Sequence, residues 1–283
     1  MKILLTGGSG DLGQFLSPLL IAQGHHPVNF DIRPPEANTN HFFQGTLLKL
    51  EDIQSALVDI DAVIHIAAWH GIHETKGLKT PQEFWDLNVN GTHNLLQACA
   101  DQGVKKITHI SSTSVSKLSG YYGFTKRIAE QAILHFQEEY DLNAIILRPR
   151  AFIPPWNRTV YPNYLEWAKR FWPGAVHIKD VAQAVVKSLD LLERDKNSGW
   201  PALSIDRAAD YPQEELEHWD VRGPGSSFRR HFGEFEALVL KHGLDPGIKP
   251  NSRDISDATR VLGYEPEYGL AQLLLDLEKH GNE

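Results

Sequence analysis

Apolar positions in the first half of the chain alternate between two rhythms. Residues 2–6 are a short apolar run ending in glycines, and Leu12, Phe15, Leu16, Leu19 and Leu20 follow at helical offsets of 3, 4, 7 and 8. That pattern predicts strand, turn, helix. Gly24 stops the helix, 27–31 reads as a second strand, and 62–66, 106–111 and 143–147 read as further buried strands. Helical segments at 51–57, 81–101 and 122–138 lie between them, so successive strands are joined by crossovers and should pair in parallel. The predicted fold is α/β, a doubly wound parallel sheet with helices on both faces.

After Arg148 the rhythm breaks. Pro149, Pro154, Pro155, Pro162 and Pro173 interrupt a stretch rich in Trp, Arg and Tyr, which predicts loop and short helix. A clean amphipathic helix at 180–192 and a strand at 202–205 bring the chain back to the sheet before it leaves near Arg207. Further helices are predicted at 254–262 and 270–280, separated by Gly263 and Pro266. The expected division is a sheet domain of 1–149 and 179–206 with a smaller, discontinuous, α-rich domain of 150–178 and 207–283. The length of 283 residues agrees with two domains at roughly 150 residues each.

Composition narrows the function. Lys and Arg number 28 against 36 Asp and Glu, a net charge of −8, so the overall field attracts neither nucleic acid nor anionic lipid. No apolar run approaches the ~20 residues of a membrane span, and residues 1–6 are too short for the apolar region of a signal peptide. Cys99, the single cysteine, cannot form an intramolecular disulfide and falls in a helical run as a small apolar side chain. The expectation is a soluble, cytoplasmic protein. His25-His26, His65 and His70 with His73 lack the spacing of a ligand set, so no metal is expected.

Gly7, Gly10 and Gly13 form G-x-x-G-x-x-G directly between a strand and a helix. A tight turn, close approach of a pyrophosphate to the backbone and close helix packing each need a residue without Cβ, and the free N–H groups of the helix start, at Asp11 and Leu12, attract phosphate. Asp31 ends the next strand 18 residues after Gly13, where a carboxylate can accept hydrogen bonds from ribose hydroxyls. Together they predict a dinucleotide site. Asp31 would repel a 2′-phosphate and favours NAD, while Arg33 two residues on leaves NADP open.

Tyr122 and Lys126 are four apart on a predicted helix and share a face. Their helix follows the strand ending at Ser111, Ser112 and Thr113, whose carboxyl end should meet the nicotinamide crevice. A free phenol, with a pKa near 10, is a poor base at neutral pH. An ammonium at ~4 Å contributes on the order of 4 kcal/mol at an effective dielectric of 20, about three pKa units before desolvation, so Lys126 is expected to draw Tyr122 towards neutrality. Ser112 or Thr113 would hold the substrate oxygen.

These motifs, with Ile64-His65-Ile66-Ala67-Ala68, Asn88-Val89-Asn90-Gly91-Thr92, Arg148-Pro149 and His177-Ile178-Lys179-Asp180-Val181, resemble the extended short-chain dehydrogenase/reductase superfamily, in particular its NAD-dependent epimerase/dehydratase group. Asp254-Ile255-Ser256 and Leu262-Gly263-Tyr264-Glu265-Pro266 resemble its carboxyl-terminal signature. The resemblance implies a Rossmann sheet carrying NAD. It gives the pyrophosphate loop to Gly7, Gly10 and Gly13, the adenosine ribose to Asp31, the cofactor's edge to Ala67 and Ala68, a structural role to Asn88, catalysis to Tyr122 and Lys126 with Ser112 ahead of Thr113, and packing near the nicotinamide to Pro149. Members often dimerise through the helices containing Asn88 and Tyr122, which implies a homodimer as one assembly.

Two departures bear on binding, the first on the cofactor's adenine and the second on substrate. Thr46 stands where the group usually has an adenine-contacting Asp, and 162–177 compresses the stretch that carries the nucleotide-binding loop of nucleotide-sugar enzymes. The compression points to a small free sugar or a related polyol, aldehyde or acid, with Trp69, His70 and His73 lining the pocket and Arg150 and Arg158 forking onto a carboxylate. Three readings result: an NAD-dependent oxidoreductase on a small carbohydrate-like alcohol or carbonyl, a nucleotide-sugar epimerase or dehydratase with retained NAD, and a catalytically silent NAD-binding module.

Overall fold

The computed structural model describes residues 1–36, 41–117, 119–195 and 199–281. Seven strands form one sheet: β1 (Lys2–Thr6), β2 (His26–Asp31), β3 (Phe42–Gln44), β4 (Ala62–His65), β5 (Lys106–Ile110), β6 (Asn143–Pro149) and β7 (Leu203–Ile205), in the order β3-β2-β1-β4-β5-β6-β7. Every pair of described register is parallel. The order reverses direction between β1 and β4, and that is where a doubly wound sheet opens a crevice at its carboxyl ends.

The crossover helices are α1 (Asp11–Ala22), α2 (Leu50–Ala56), α3 (Gly71–Thr75), α4 (Pro81–Trp85), α5 (Thr92–Gln102) and α6 (Tyr121–Tyr140). Leu4, Val63, Ile107 and Ile146 on the strands pack with Leu95, Cys99, Ile133 and Phe136 on α5 and α6, all essentially buried. Burial of such side chains contributes roughly 1.5–3 kcal/mol each and pins each strand's register to its helix. Cys99 is indeed a core apolar residue, and burial pushes its thiol up to about 12.

Three local features differ from the sequence reading. The helix predicted at 81–101 is broken into α4, a π-helical turn (Asp86–Gly91) and α5. Thr80 and Glu83 cap α4 reciprocally with Pro81 in its first turn, which fixes its start. The extra residue of the π turn has no hydrophobic-period signature. Strand β3 and helix α3 were also not predicted, being three and five residues long, too short for a period to show.

The chain divides into two compact units, Met1–Pro149 with Ala184–Ser204 and Arg150–Gln183 with Ile205–Glu283. Beyond the sheet lie α7 (Tyr164–Phe171), α8 (Ile178–Arg194), α9 (Gln213–Glu217), α10 (Trp219–Arg222), α11 (Ser226–Phe232), α12 (Glu236–Lys241), α13 (Ser256–Leu262) and α14 (Leu270–His280). The second unit's core is aromatic: Trp167, Phe171, Trp172, Tyr211 and Phe228 pack with Leu273, Leu274 and Leu277. Helix α13 starts two residues later than predicted, because the Asp254 carboxylate accepts from the Ser256 N–H at 2.9 Å and forms the turn ahead of the helix. Among the described residues no helix is long and apolar enough to cross a membrane.

Candidate active site

The glycine loop joins β1 to α1. Gly7 has φ of +68°, a conformation that favours glycine, and a Cβ there would lie 2.9 Å from the Ala67 backbone. A Cβ on Gly13 would lie 2.5 Å from the Gly8 backbone, so α1 rests directly on the loop. At Gly10 the nearest atom to a Cβ is the Gly7 carbonyl oxygen at 3.3 Å, and no side chain caps the helix there. The first turn, with Asp11 and Leu12, therefore presents backbone N–H groups and the positive end of a 12-residue helix. The Asp31 carboxylate accepts from the Ser9 N–H at 3.1 Å and the Arg33 N–H at 3.3 Å, which fixes it beside the loop with acceptor capacity left. These residues suit the diphosphate and the ribose diol of a dinucleotide. Thr46 donates its N–H to the Asp52 carboxylate at 2.9 Å, an acid supplied by α2 rather than by the turn itself.

The wall beyond β4 is held by a chain of buried polar groups. Ala67 donates to the Thr6 carbonyl at 3.1 Å, and the Asn88 side chain, in the π turn, accepts from Trp69 N–H at 2.8 Å and donates to the Trp69 carbonyl at 2.9 Å and to Thr125 Oγ1 at 3.1 Å. One amide thus ties the loop holding Ala67, Ala68 and Trp69 to α6, one residue before Lys126. Below it Thr92 Oγ1 donates to the Asn88 carbonyl and so accepts from His65 Nε2, which leaves His65 Nδ1 to accept from Thr6 Oγ1 at 2.8 Å. Burial, with Lys126 nearby, pushes His65 down to about 3, consistent with this neutral tautomer.

Tyr122, Lys126 and Glu130 are spaced four apart along one face of α6. The Ser112 hydroxyl lies beside the Tyr122 phenol and counters the burial that raises it. Lys126 is buried and donates to the Ile110 carbonyl at 2.6 Å. Glu130, also buried, accepts from Ser111 Oγ and from Arg148 Nε and Nη2 at 2.9 and 2.6 Å, so it clamps the ends of β5 and β6 to α6. Thr113 heads a 3-10 turn, its carbonyl accepting from Ser116 Oγ, and Pro149 closes β6 as a buried residue.

Electrostatics here differ from the sequence expectation. Burial pushes the Tyr122 phenol up, with only the Ser112 hydrogen bond opposing it. Burial also pushes Lys126 down to about 8, with Glu130 holding against the fall. Desolvation acts on both members of the pair, and the ammonium is spent on the Ile110 carbonyl rather than on the phenol.

The Tyr122 ring is seated by neighbours that the sequence reading did not identify. A Cβ on Gly71 would lie 3.3 Å from the ring, and Phe84 packs at 6.4 Å between centroids. Glu74, on the same short helix as Gly71, accepts from Tyr121 N–H and from Tyr122 N–H at 3.4 Å, capping an α6 that Gly120 leaves uncapped. Glu74 is 47 residues from Tyr121 in sequence, so nothing local signals it. Glu130 was findable, as the next residue at helical spacing after Lys126.

His70 opens α3, and burial beside His73 and Lys126 pushes it down to about 4. Its N–H donates to His73 Nδ1 at 3.1 Å, and Trp69 carries the Lys79 ammonium 4.2 Å above its ring. Both arginines belong to the second unit. Arg150 pairs with Asp206 at 3.3 Å against the Gly174 backbone, an ion pair within the fold, whereas Arg158 lines a cavity. Among the described residues no group of three or more His, Cys, Asp or Glu side chains gathers for a metal.

Residues 3–199 match the NAD dependent epimerase/dehydratase family. The chain belongs to that family. Its members are NAD-dependent enzymes. The chain is 32% identical to the bovine (Bos taurus) sterol-4-alpha-carboxylate 3-dehydrogenase, decarboxylating, across 60% of this chain and 51% of that protein. It is 28% identical to the 2-alkyl-3-oxoalkanoate reductase of Stenotrophomonas maltophilia across 60% of this chain and 56% of that one. The match therefore spans little more than half the length of these relatives. Among solved structures, MoeE5 in complex with UDP-glucose and NAD has a TM-score of 0.72 at 23% identity, covering 97% of this chain and 96% of that one, a likeness of fold.

Proposed function

We propose that this protein is an NAD-dependent oxidoreductase that moves hydride between the nicotinamide and a secondary alcohol or carbonyl of a small, sugar-like substrate. The observation that carries this reading is the single helix face of α6 that carries Tyr122, Lys126 and Glu130, with Ser112 beside the phenol, in the unit that holds the uncapped glycine loop. Met1–Pro149 with Ala184–Ser204 would serve as the dinucleotide-binding domain and the other unit as the substrate domain. Bound NAD supplies the hydride acceptor. Asp31 would take the adenosine ribose, and Gly7, Gly10, Asp11, Leu12 and Gly13 the pyrophosphate. Ala67, Ala68, Asn88 and Pro149 would border the cofactor, and His70 and Thr113 would face the substrate.

In the oxidising direction the substrate hydroxyl gives its proton to the Tyr122 oxygen while Ser112 holds the substrate oxygen, and the hydride leaves the same carbon. In the reducing direction Tyr122 returns the proton. Because burial raises the phenol, the oxidation rate should climb with pH above neutrality as phenolate accumulates. His70, neutral at that pH, can donate or accept a hydrogen bond to a substrate hydroxyl without adding charge. The compressed stretch 162–177 supports a substrate without a nucleoside diphosphate. The two relatives act on a sterol-4-alpha-carboxylate and a 2-alkyl-3-oxoalkanoate, which supports including acids.

The test is a panel of free sugars, uronates, 3-hydroxy acids and nucleotide sugars with NAD, followed at the absorbance of NADH. Accumulating NADH with a free sugar or acid supports the reading. Conversion of a nucleotide sugar without NADH release would replace it with epimerisation, and no turnover of any compound would leave an NAD-binding module. NADH should bind more tightly than NADPH at equal salt, through Asp31.

A further inference from the structure

The second unit contains a cavity of about 310 Å³ that the proposed reaction does not use. Its floor is a directed chain of hydrogen bonds. Tyr268 donates to Asp276 Oδ2 at 2.6 Å and Gln272 donates to Oδ1 at 2.9 Å, so both carboxylate oxygens are already engaged. With its proton committed to Asp276, Tyr268 can only accept from the Tyr164 hydroxyl 3.2 Å away. Tyr164 then has its proton committed in turn, so at the cavity that it lines its oxygen can only accept. His177 stacks on Tyr268 at 4.1 Å between ring centroids and 15° between planes, a flat wall that burial keeps uncharged.

Two cations stand on the rim. Arg158 and Lys179 line the same cavity, and among the described residues neither is within ion-pair distance of a carboxylate. Arg158 spends one nitrogen on the Pro162 carbonyl at 3.4 Å, which anchors the side chain while its remaining N–H groups stay available. A hydroxyl acceptor at the base, a ring-sized flat wall and paired cations above it are complementary to one kind of molecule.

We propose that this cavity is a second ligand site, taking a small polyhydroxylated anion: a sugar acid or a sugar phosphate whose hydroxyl donates to Tyr164 and whose anionic group meets Arg158 and Lys179. The site lies within one unit and stands apart from the Tyr122 reading.

Calorimetric titration of the full chain with D-glucuronate, glucose 6-phosphate, D-glucose and inorganic phosphate tests it. Either or both hydroxylated anions should bind, and the stronger of the two says whether carboxylate or phosphate is preferred. D-Glucose, without charge, and phosphate, without the ring, should bind roughly tenfold or more weakly. The exposed double substitution R158A/K179A, which leaves the fold's ion pairs intact, should weaken the anions by at least about tenfold. Tyr164→Phe should weaken the hydroxylated anions and leave inorganic phosphate unchanged, and Tyr122→Phe should leave the binding that R158A/K179A weakens unchanged. Unaltered binding by R158A/K179A, affinity lost only in Tyr122→Phe, or no anion bound by the native chain would each overturn the site. In those cases turnover in the sugar and acid panel would still stand or fall on its own.

Discussion

In the sheet unit one set of buried polar groups gathers around the carboxyl ends of β1, β4 and β5. Thr6, His65, Asn88, Thr92, Ser111, Lys126 and Glu130 are all buried, and most bond to backbone or to one another. In the helical unit the buried ion pairs instead clamp elements together, and the Tyr164–Tyr268–Asp276 chain lies beside a cavity. Arg207 pairs with Asp210, Arg150 with Asp206, and Glu215 gathers Arg222 and Arg230. A parallel sheet brings its strand ends together by backbone geometry alone, so polar side chains there are free for chemistry. Short helices have no shared ladder, so side-chain ion pairs and an aromatic core have to fix their mutual orientation.

The largest effect that would sharpen this contrast is kinetic. Tyr122→Phe should lower kcat/KM on any substrate found by about 10²–10⁴-fold while NADH binding, read by fluorescence, stays within about twofold. A Phe variant with native turnover would show that the strand-end cluster is structural, like the clamps of the other unit.

Two charge deletions compare the units directly. Asp210→Ala strands Arg207, whose side chain is 4% exposed, and should destabilise by on the order of 3–5 kcal/mol in urea unfolding. Glu130→Ala strands Arg148, which at 34% exposure can rehydrate, and should cost less, about 1–3 kcal/mol. The reverse ranking would break the distinction between clamps and site.

Lys126 makes the third comparison. Its folded-state pKa of about 8 lies below the unfolded value, so the unfolded chain binds more protons between about pH 8 and 10.5 and this group makes stability rise with pH in that window. Below pH 8 its desolvation weighs fully against folding, by about 3 kcal/mol. Lys126→Met should therefore be more stable than the native chain at pH 7, by roughly 2 kcal/mol after loss of the Ile110 hydrogen bond, and should flatten the rise above pH 8. Equal or lower stability would mean that the lysine is held for the fold.

The smallest effect concerns α3. Glu74→Gln should lower kcat about three- to tenfold with KM for NAD unchanged, because a neutral amide caps α6 less strongly and lets the Tyr122 backbone relax. A change confined to KM would assign Glu74 to binding instead.

Sequence legibility followed the same division. Strand β1 and helix α14 begin and end as their apolar periods predict, and the G-x-x-G-x-x-G spacing located the loop before any geometry was known. Tyr122 and Lys126 were legible because helical spacing converts directly into a shared face. Glu74 was not, since a carboxylate acting from 47 residues away leaves no periodic trace. The raised Tyr122 phenol was also hidden: a Coulomb argument from spacing sees the lysine charge but not the burial that outweighs it. Arg150 shows the limit for lone residues. Its type suits a substrate carboxylate, yet Asp206 takes it, and only the fold could reveal that.

The most direct measurement is a crystal structure with NAD bound. The account predicts the diphosphate on the first turn of α1 and the nicotinamide C4 close enough to the Tyr122 oxygen that one substrate carbinol can set its carbon against C4 and its oxygen at roughly 3 Å from the phenol. A nicotinamide ring lying away from the phenol, with Ser112 and Tyr122 facing solvent or protein instead, would contradict it.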